Sequence, residues 1–352
     1  MADLGPVPSR RNRGIRITIS ALACVALGLT GCARSSGTAS SGSSAASVGA
    51  SASSATASAT SPKPSPSSTT PAPFAAVGKY GVGDAVTHPT CPVPPSQHRT
   101  FKAPGKVVPD LPELSRGTDH GAAADKWVYP ASSVQKWVTT PTTAPKNKKI
   151  AFITFDDGPT ASMTPRELTN LEQARVPATF FMITPQLQDV QTSLLRRSLR
   201  DGNALAIHSY SHDYHYLFHG SASDKATHVS CDDDWAVAQA RDVLGAGYYA
   251  SGFRYPGGHM SWHNLRPADA ALGRRGASWI DWNAESGDAE ANPPRTPSGM
   301  VAYLKKTMAE EGNPRVLVIL NHDAADKRLT AESMPSLIRY LKAQGYSFGV
   351  MN

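Results

Sequence analysis

From Lys148 to the C-terminus, short apolar runs rich in β-branched and aromatic residues alternate with stretches of helical periodicity. This alternation narrows the possible folds more than any other feature of the chain. The apolar runs occupy 150–155, 178–183, 204–208, 252–255, 278–282, 316–320 and 347–351, and helical patterns occupy 165–174, 187–200, 232–244, 298–310 and 332–344. Thr164-Pro165 and Ser298 read as helix starts, and Gly202, Gly245, Gly312 and Gly345 stand just past helix ends. Strands joined by helices of this length form a parallel sheet with crossover helices. Seven such strands fit an open doubly wound sheet or an incomplete barrel, and periodicity does not choose between them.

Polar residues gather at one end of these strands. Asp156 and Asp157 close the first, His208 the third with His212 just beyond, and Arg254 the fourth; Asp288 follows the fifth and His322 the sixth. In parallel α/β folds the carboxyl ends of the strands make the active-site face. Each group alone has a bland reading. An Asp pair suits a solvated loop, a His suits a strand end, and an Arg before Pro256-Gly257-Gly258 suits an ordinary turn. Together they offer chemistry. His208 and His212 can share a metal if the segment curls, and two imidazoles with one carboxylate leave coordination positions open, as a catalytic zinc site requires. An Arg beside a carboxylate orients it, and an N–H of the following turn can face an oxyanion. His322 can act as a general acid if a carboxylate holds it, with Asp288, Asp323 and Asp281 as the candidates. His215, His219 and His228 read as surface residues. No H-E-x-x-H occurs, which argues against a zincin peptidase.

The N-terminal third has a different character. Arg10, Arg11, Arg13 and Arg16 precede a mostly apolar stretch, 17–30, that is too short to span a bilayer. That order marks a secretory signal peptide. Leu29-Thr30-Gly31-Cys32 resembles a bacterial lipobox, which implies acylation of Cys32 and attachment to the outer face of the cell membrane. Residues 35–73 are nearly all Ser, Ala, Thr, Gly and Pro and cannot bury enough surface to order themselves; they read as a disordered tether spanning roughly 30–40 Å. Residues 74–147 carry scattered aromatics among many prolines and read as an extended arm packing on the main domain. The expected organisation is a signal peptide over 1–31, a tether over 32–73, the arm over 74–147 and a catalytic domain over 148–352. Cys91 and Cys231 remain outside the signal and the lipid site, and in an oxidising compartment they could pair, tying the arm to that domain. The net charge of +7 falls to +4 once residues 1–31, with four arginines and one aspartate, are removed, and no basic block remains. Nucleic acid is therefore not an expected partner.

As a set, the motifs resemble those of the polysaccharide deacetylases, the NodB-homology domain or carbohydrate esterase family four. TFDDGP (154–159), HSYSH (208–212), RYPGG (254–258), WNAESGD (282–288) and LNH (320–322) occur in the family's order. The resemblance implies a distorted (β/α) barrel of about seven parallel strands, with Asp156 as catalytic base and Asp157, His208 and His212 as ligands of a divalent metal, Zn²⁺ or else Co²⁺ or Mn²⁺. It implies that Arg254 holds Asp156, that the Tyr255 N–H helps bind an oxyanion, and that Asp288 orients His322, the acid. Many members follow the fourth-motif Asp with a Trp lining the acetyl pocket; here Ala289 stands there. The expected activity is hydrolysis of acetyl groups from N-acetylated polysaccharide by a monomer, with peptidoglycan favoured because an anchor would hold the enzyme near the wall. Chitin-like oligomers and acetylated xylan are alternative substrates, and a glycan-binding wall protein without turnover is the alternative function.

Overall fold

The computed structural model describes residues 89–96 and 108–352. The expected signal peptide, Cys32, the tether and part of the arm lie outside the described residues. Ahead of Lys148 the chain forms β1 (Val128–Tyr129) and α1 (Ala131–Thr139). There follow β2 (Lys149–Gly158), α2 (Thr164–Ala174), β3 (Ala178–Met182), α3 (Thr192–Arg200), β4 (Ala204–Ile207), α4 (Tyr214–Phe218) and α5 (Ala222–Leu244). The remainder is β5 (Gly252–Phe253), α6 (Arg266–Arg274), β6 (Ser278–Trp279), β7 (Ala284–Glu285), α7 (Pro297–Glu310), β8 (Val316–His322), α8 (Arg328–Ala343), β9 (Tyr346–Phe348) and β10 (Val350–Met351).

Seven parallel strands lie in the order β6-β5-β4-β3-β2-β8-β7 and curl into a half-barrel, the incomplete barrel rather than the open sheet. The number seven matches the expectation, but the membership differs. The short strand β7 belongs to the path, and the expected run 347–351 splits: β9 pairs with the start of β2, and β10 pairs in parallel with β1. Gly349 sits at the break, where a Cβ would lie 2.8 Å from the Tyr129 ring and 2.9 Å from Phe152. Only glycine fits so close an approach.

β2 is buried at nearly every position, with Ile150, Ala151, Phe152, Ile153 and Phe155 apolar, because both its faces are covered. Successive side chains of a strand point to opposite faces. Ala151, Ile153 and Phe155 therefore meet the outer helices, together with Leu168 and Leu171 of α2 and Leu337 and Leu341 of α8. Ile150 and Phe152 point the other way, joining Phe181, Ala206 and Val318 in a cluster with Ala131 and Val134 of α1. Helix α1, from the residues ahead of the seven-strand path, thus packs against the concave side of the half-barrel. Burying each of these Phe or Ile side chains contributes about 1.5–3 kcal/mol.

Several helices differ from their expected bounds. The expected helix 187–200 divides into a single turn at Thr184–Gln188 and α3. Helix α5 begins ten residues before the expected 232, where Ser221 and Asp224 form a capping box. Helix α7 is capped by Thr296, whose hydroxyl accepts from the Gly299 N–H at 3.1 Å, rather than by Ser298. Cys91 and Cys231 form a disulfide that joins residues 89–96 to α5. No helix among the described residues is long and apolar enough to cross a membrane.

Candidate active site

The site lies at the carboxyl ends of the parallel strands. β2 pairs with β8 as far as Asp156 opposite His322. On its other side Asp156 pairs with Phe181 and Gly158 with Met182, which leaves Asp157 as the extra residue of a bulge, at φ 71°. A bulge re-aims a side chain that strict alternation would send away. Both carboxylates consequently face His208, whose Nε2 lies 3.7 Å from Asp156 and 3.4 Å from Asp157. Gly158 follows because a Cβ there would collide with the Asp323 carboxylate.

His208 and His212 come together without the helical turn that their spacing suggests. The loop between them bends through Ser209 (φ 77°) and His212 (φ 48°). Asp232 of α5, fully buried, holds it by accepting from the Tyr210 and Ser211 N–H groups at 2.8 and 2.9 Å. Asp232 carries no motif of its own in the sequence, where it opens a run of three aspartates. Its removal is expected to leave the fold in place and weaken binding of a divalent cation at the cluster, probed with Zn²⁺, about 10–100-fold, as loss of a residue that orients metal ligands typically does. Zinc titration of Asp232→Ala by competition with a chromogenic chelator checks this; unchanged affinity would show that the loop holds its shape unaided.

Asp157, His208 and His212 place one ligand atom each within 4.8 Å of the others. The donor set fits a divalent cation. His208 Nδ1 faces the Arg254 carbonyl at 2.9 Å, and since a carbonyl can only accept, Nδ1 carries the proton. In the neutral ring Nε2 then turns its lone pair toward Asp157 Oδ1, a buried oxygen with no hydrogen-bond donor. A cation between them satisfies both. Burial alone would raise the Asp157 carboxyl and lower the His212 imidazole; their attraction at 3.2 Å outweighs it and reverses both directions.

Arg254 is fully buried inside the half-barrel. Its Nη1 donates to Asp156 Oδ1 at 2.6 Å and to the Thr154 hydroxyl at 2.7 Å, and its Nε donates to the Ile280 carbonyl at 2.9 Å. The guanidinium lies over the Phe181 ring at 4.1 Å. These contacts hold both the cation and the carboxylate in single orientations. The next residue, Tyr255, is buried, and its hydroxyl donates to Asp269 Oδ1 at 3.0 Å. Asp269 also faces His259 Nε2 at 3.0 Å, so one carboxylate of α6 fixes two points of the turn after Arg254.

Of the three carboxylates considered for His322, Asp288 meets it. Asp288 Oδ1 lies 2.8 Å from His322 Nδ1, and Oδ2 accepts from the His322 N–H and the Thr330 hydroxyl, each at 2.8 Å. Asp281 instead accepts from the N–H groups of His259 and Met260, and Asp323 is buried against Thr164. Burial alone would lower the His322 imidazole, but Asp288 overrides it and raises it to about 9. Burial likewise pushes against the Asp288 carboxylate, which His322 holds below its usual range. Burial raises the Asp323 carboxyl to about 7, so it is largely protonated in mildly acidic solution. Ala289 is exposed beside Asp288. His215 and His219 stack on each other at 4.6 Å on the surface, and His228 stacks on Tyr216.

A curled parallel half-barrel with an Asp-His-His cluster at its strand ends defines the class, and the chain belongs to the polysaccharide deacetylase family, whose pattern matches residues 143–276. Among its relatives is a putative polysaccharide deacetylase, YheN of Bacillus subtilis, 32% identical over 210 residues, which cover 58% of this chain and 67% of that protein. A peptidoglycan-N-acetylglucosamine deacetylase of Bacillus cereus is 30% identical over 206 residues, covering 58% of this chain and 87% of that protein. The solved structure of a Streptococcus mutans CE4 esterase superposes with a TM-score of 0.62 at 37% identity, covering 68% of this chain and 98% of that one.

Proposed function

We propose that the chain removes acetyl groups from N-acetylated polysaccharide, with peptidoglycan as its polymer, and that it works outside the cytoplasmic membrane as a monomer tethered through acylated Cys32. The observation that carries the reaction is the convergence of the Asp157–His208–His212 cluster with the buried Asp156–Arg254 pair and the half-buried Asp288–His322 pair on one end of the sheet. The choice of polymer draws support from the name of the Bacillus cereus relative. The Cys91–Cys231 disulfide supports an oxidising compartment.

Asp157, His208 and His212 would hold the divalent metal, Zn²⁺ in this reading, which supplies a Lewis acid for the acetyl carbonyl and for the attacking water. Asp156 takes the water's proton at Oδ2, the oxygen that Arg254 Nη1 leaves free. Arg254 keeps that carboxylate from turning. The Tyr255 N–H donates to the oxygen on which negative charge grows. His322, protonated at neutral pH, gives its proton to the leaving sugar amine from Nε2, while Asp288 grips Nδ1.

The test is acetate release by the full-length chain from purified peptidoglycan, N-acetylglucosamine oligomers and acetylated xylan. Release from peptidoglycan is expected, lost on treatment with a strong chelator and restored by Zn²⁺, Co²⁺ or Mn²⁺. Release only from another polymer would overturn the choice of polymer. No release from any of them, with metal demonstrably bound, would overturn turnover itself in favour of a glycan-binding wall protein.

A further inference from the structure

Among the described residues only three large apolar side chains are exposed: Val93, Tyr214 and Met260. Two of them flank the site. Tyr214 follows His212 by two residues, and Met260 lies on the turn after Arg254. Tyr214 is 39% exposed, yet its ring has aromatic neighbours. It lies 5.5 Å from the His212 ring and meets Trp262 edge-on at 5.4 Å. Trp262 in turn stacks on Phe218 at 4.0 Å and donates its indole N–H to the Pro256 carbonyl at 2.9 Å. Asp213 caps the start of α4 by accepting from the Tyr216 N–H, which fixes the backbone beneath Tyr214. The hydroxyl reaches toward Gly257, where a Cβ would stand 3.5 Å from it. Tyr214 thus spans from the loop of the Asp157–His208–His212 cluster to the turn after Arg254, and it stays partly exposed beside both.

A rigid aromatic ring with a polar tip suits one kind of occupant beside a site that acts on acetylated sugars. A pyranose presents C–H bonds on one face and hydroxyls around its rim, so it can cover an aromatic face while its rim stays hydrated. We infer that Tyr214, braced by Trp262, is the platform on which the pyranose ring bearing or adjoining the scissile acetyl group packs. This inference rests on the polysaccharide reading above. It makes Tyr214 a specificity residue for the sugar and gives it no part in the acyl chemistry. Trp262 is a positioning residue that acts through it.

The test compares two substrates on the full-length, zinc-loaded chain. One is a glycan, peptidoglycan fragments or the N-acetylglucosamine tetramer, whichever the wild type turns over. The other is 4-nitrophenyl acetate, which offers an acetyl group without a pyranose. Tyr214→Ala is expected to raise KM for the glycan roughly tenfold, with kcat little changed, as loss of one aromatic contact implies. Its kcat/KM for the aryl acetate and its zinc content should stay within about twofold of wild type. Tyr214→Leu, which keeps apolar bulk without a planar face, should behave like Tyr214→Ala, and Tyr214→Phe should recover most of the glycan affinity. An unchanged KM for the glycan would overturn the inference. So would equal losses on both substrates or loss of zinc, either of which would reduce Tyr214 to a prop for His212. A wild type that cleaves the aryl acetate but no glycan would overturn the polysaccharide reading and this inference with it, an outcome distinct from a failure at Tyr214 alone.

Discussion

Asp156→Asn is expected to lower kcat for acetate release at least about a thousandfold while leaving binding of a divalent metal intact. The substitution keeps the side chain's shape and an oxygen for Arg254, so orientation survives and only basicity is lost. Metal binding should survive because Asp156 lies outside the three-residue cluster. The substitution also has a structural cost. Arg254 is fully buried, and its one carboxylate partner among the described ion pairs is Asp156 at 2.6 Å. Removing one member of a buried pair typically costs about 3–5 kcal/mol, because the other charge stays buried without compensation. A lower melting temperature should therefore accompany the lost activity. Acetate assays at a temperature where circular dichroism shows the variant folded separate the two effects. Retention of more than about a tenth of wild-type kcat under those conditions would mean that another group serves as base.

Asp288→Asn should carry the second large effect, and pH exposes it. His322 is raised from its ordinary value to about 9, although its burial pulls the other way, because Asp288 sits 2.8 Å from Nδ1. In the proposed mechanism the acid is the protonated ring, so the wild-type rate should hold through neutral pH and fall as pH passes about 9. Without the Asp288 charge, burial is less opposed and His322 loses its proton at lower pH. The alkaline limb of the rate profile should move toward neutrality, and kcat at pH 8 should fall about a hundredfold. A variant with reduced rate but an unmoved alkaline limb would show that Asp288 places His322 without tuning it. The same pair bears on folding. The His322 contribution is complete below that ring's ordinary value and is lost as pH rises through about 9. The Asp288 contribution is present above the ordinary carboxylate range and is lost as pH falls below it. Stability from this pair is therefore greatest in mildly acidic solution.

Much of the candidate site was legible in the sequence because Asp156, His208, Arg254 and His322 stand at or next to the ends of apolar runs. Such runs are identifiable from composition, and in a parallel sheet their ends converge. What escaped lacks that signal. Strand β7 is two residues, Ala284–Glu285, with no β-branched or aromatic side chain. Helix α6 buries only Ala268, Ala271 and Leu272, too little apolar surface to mark a face. The first half of α5 is polar because it runs over the surface, although Ser221 and Asp224 announced its start. Asp232 was hidden for another reason: its partners are the N–H groups of Tyr210 and Ser211, and a backbone donor leaves no trace in composition. The bulge at Asp157 was concealed likewise, since it depends on register with β3 and β8, which no local pattern encodes.

The position of the Cys91–Cys231 bond has a mechanical consequence. Cys91 precedes every helix and strand among the described residues, and Cys231 lies near the middle of α5. Tension applied to the chain ahead of Cys91 and resisted at its far end crosses the sulfur bridge directly into α5. The intervening covalent loop is left off the load path. That loop contains β1 through β4, and with them Asp156, Asp157, His208 and His212. A pull on the N-terminal side of this protein is thus shunted past the Asp157–His208–His212 cluster and past Asp156, whose geometry the strands can hold unloaded.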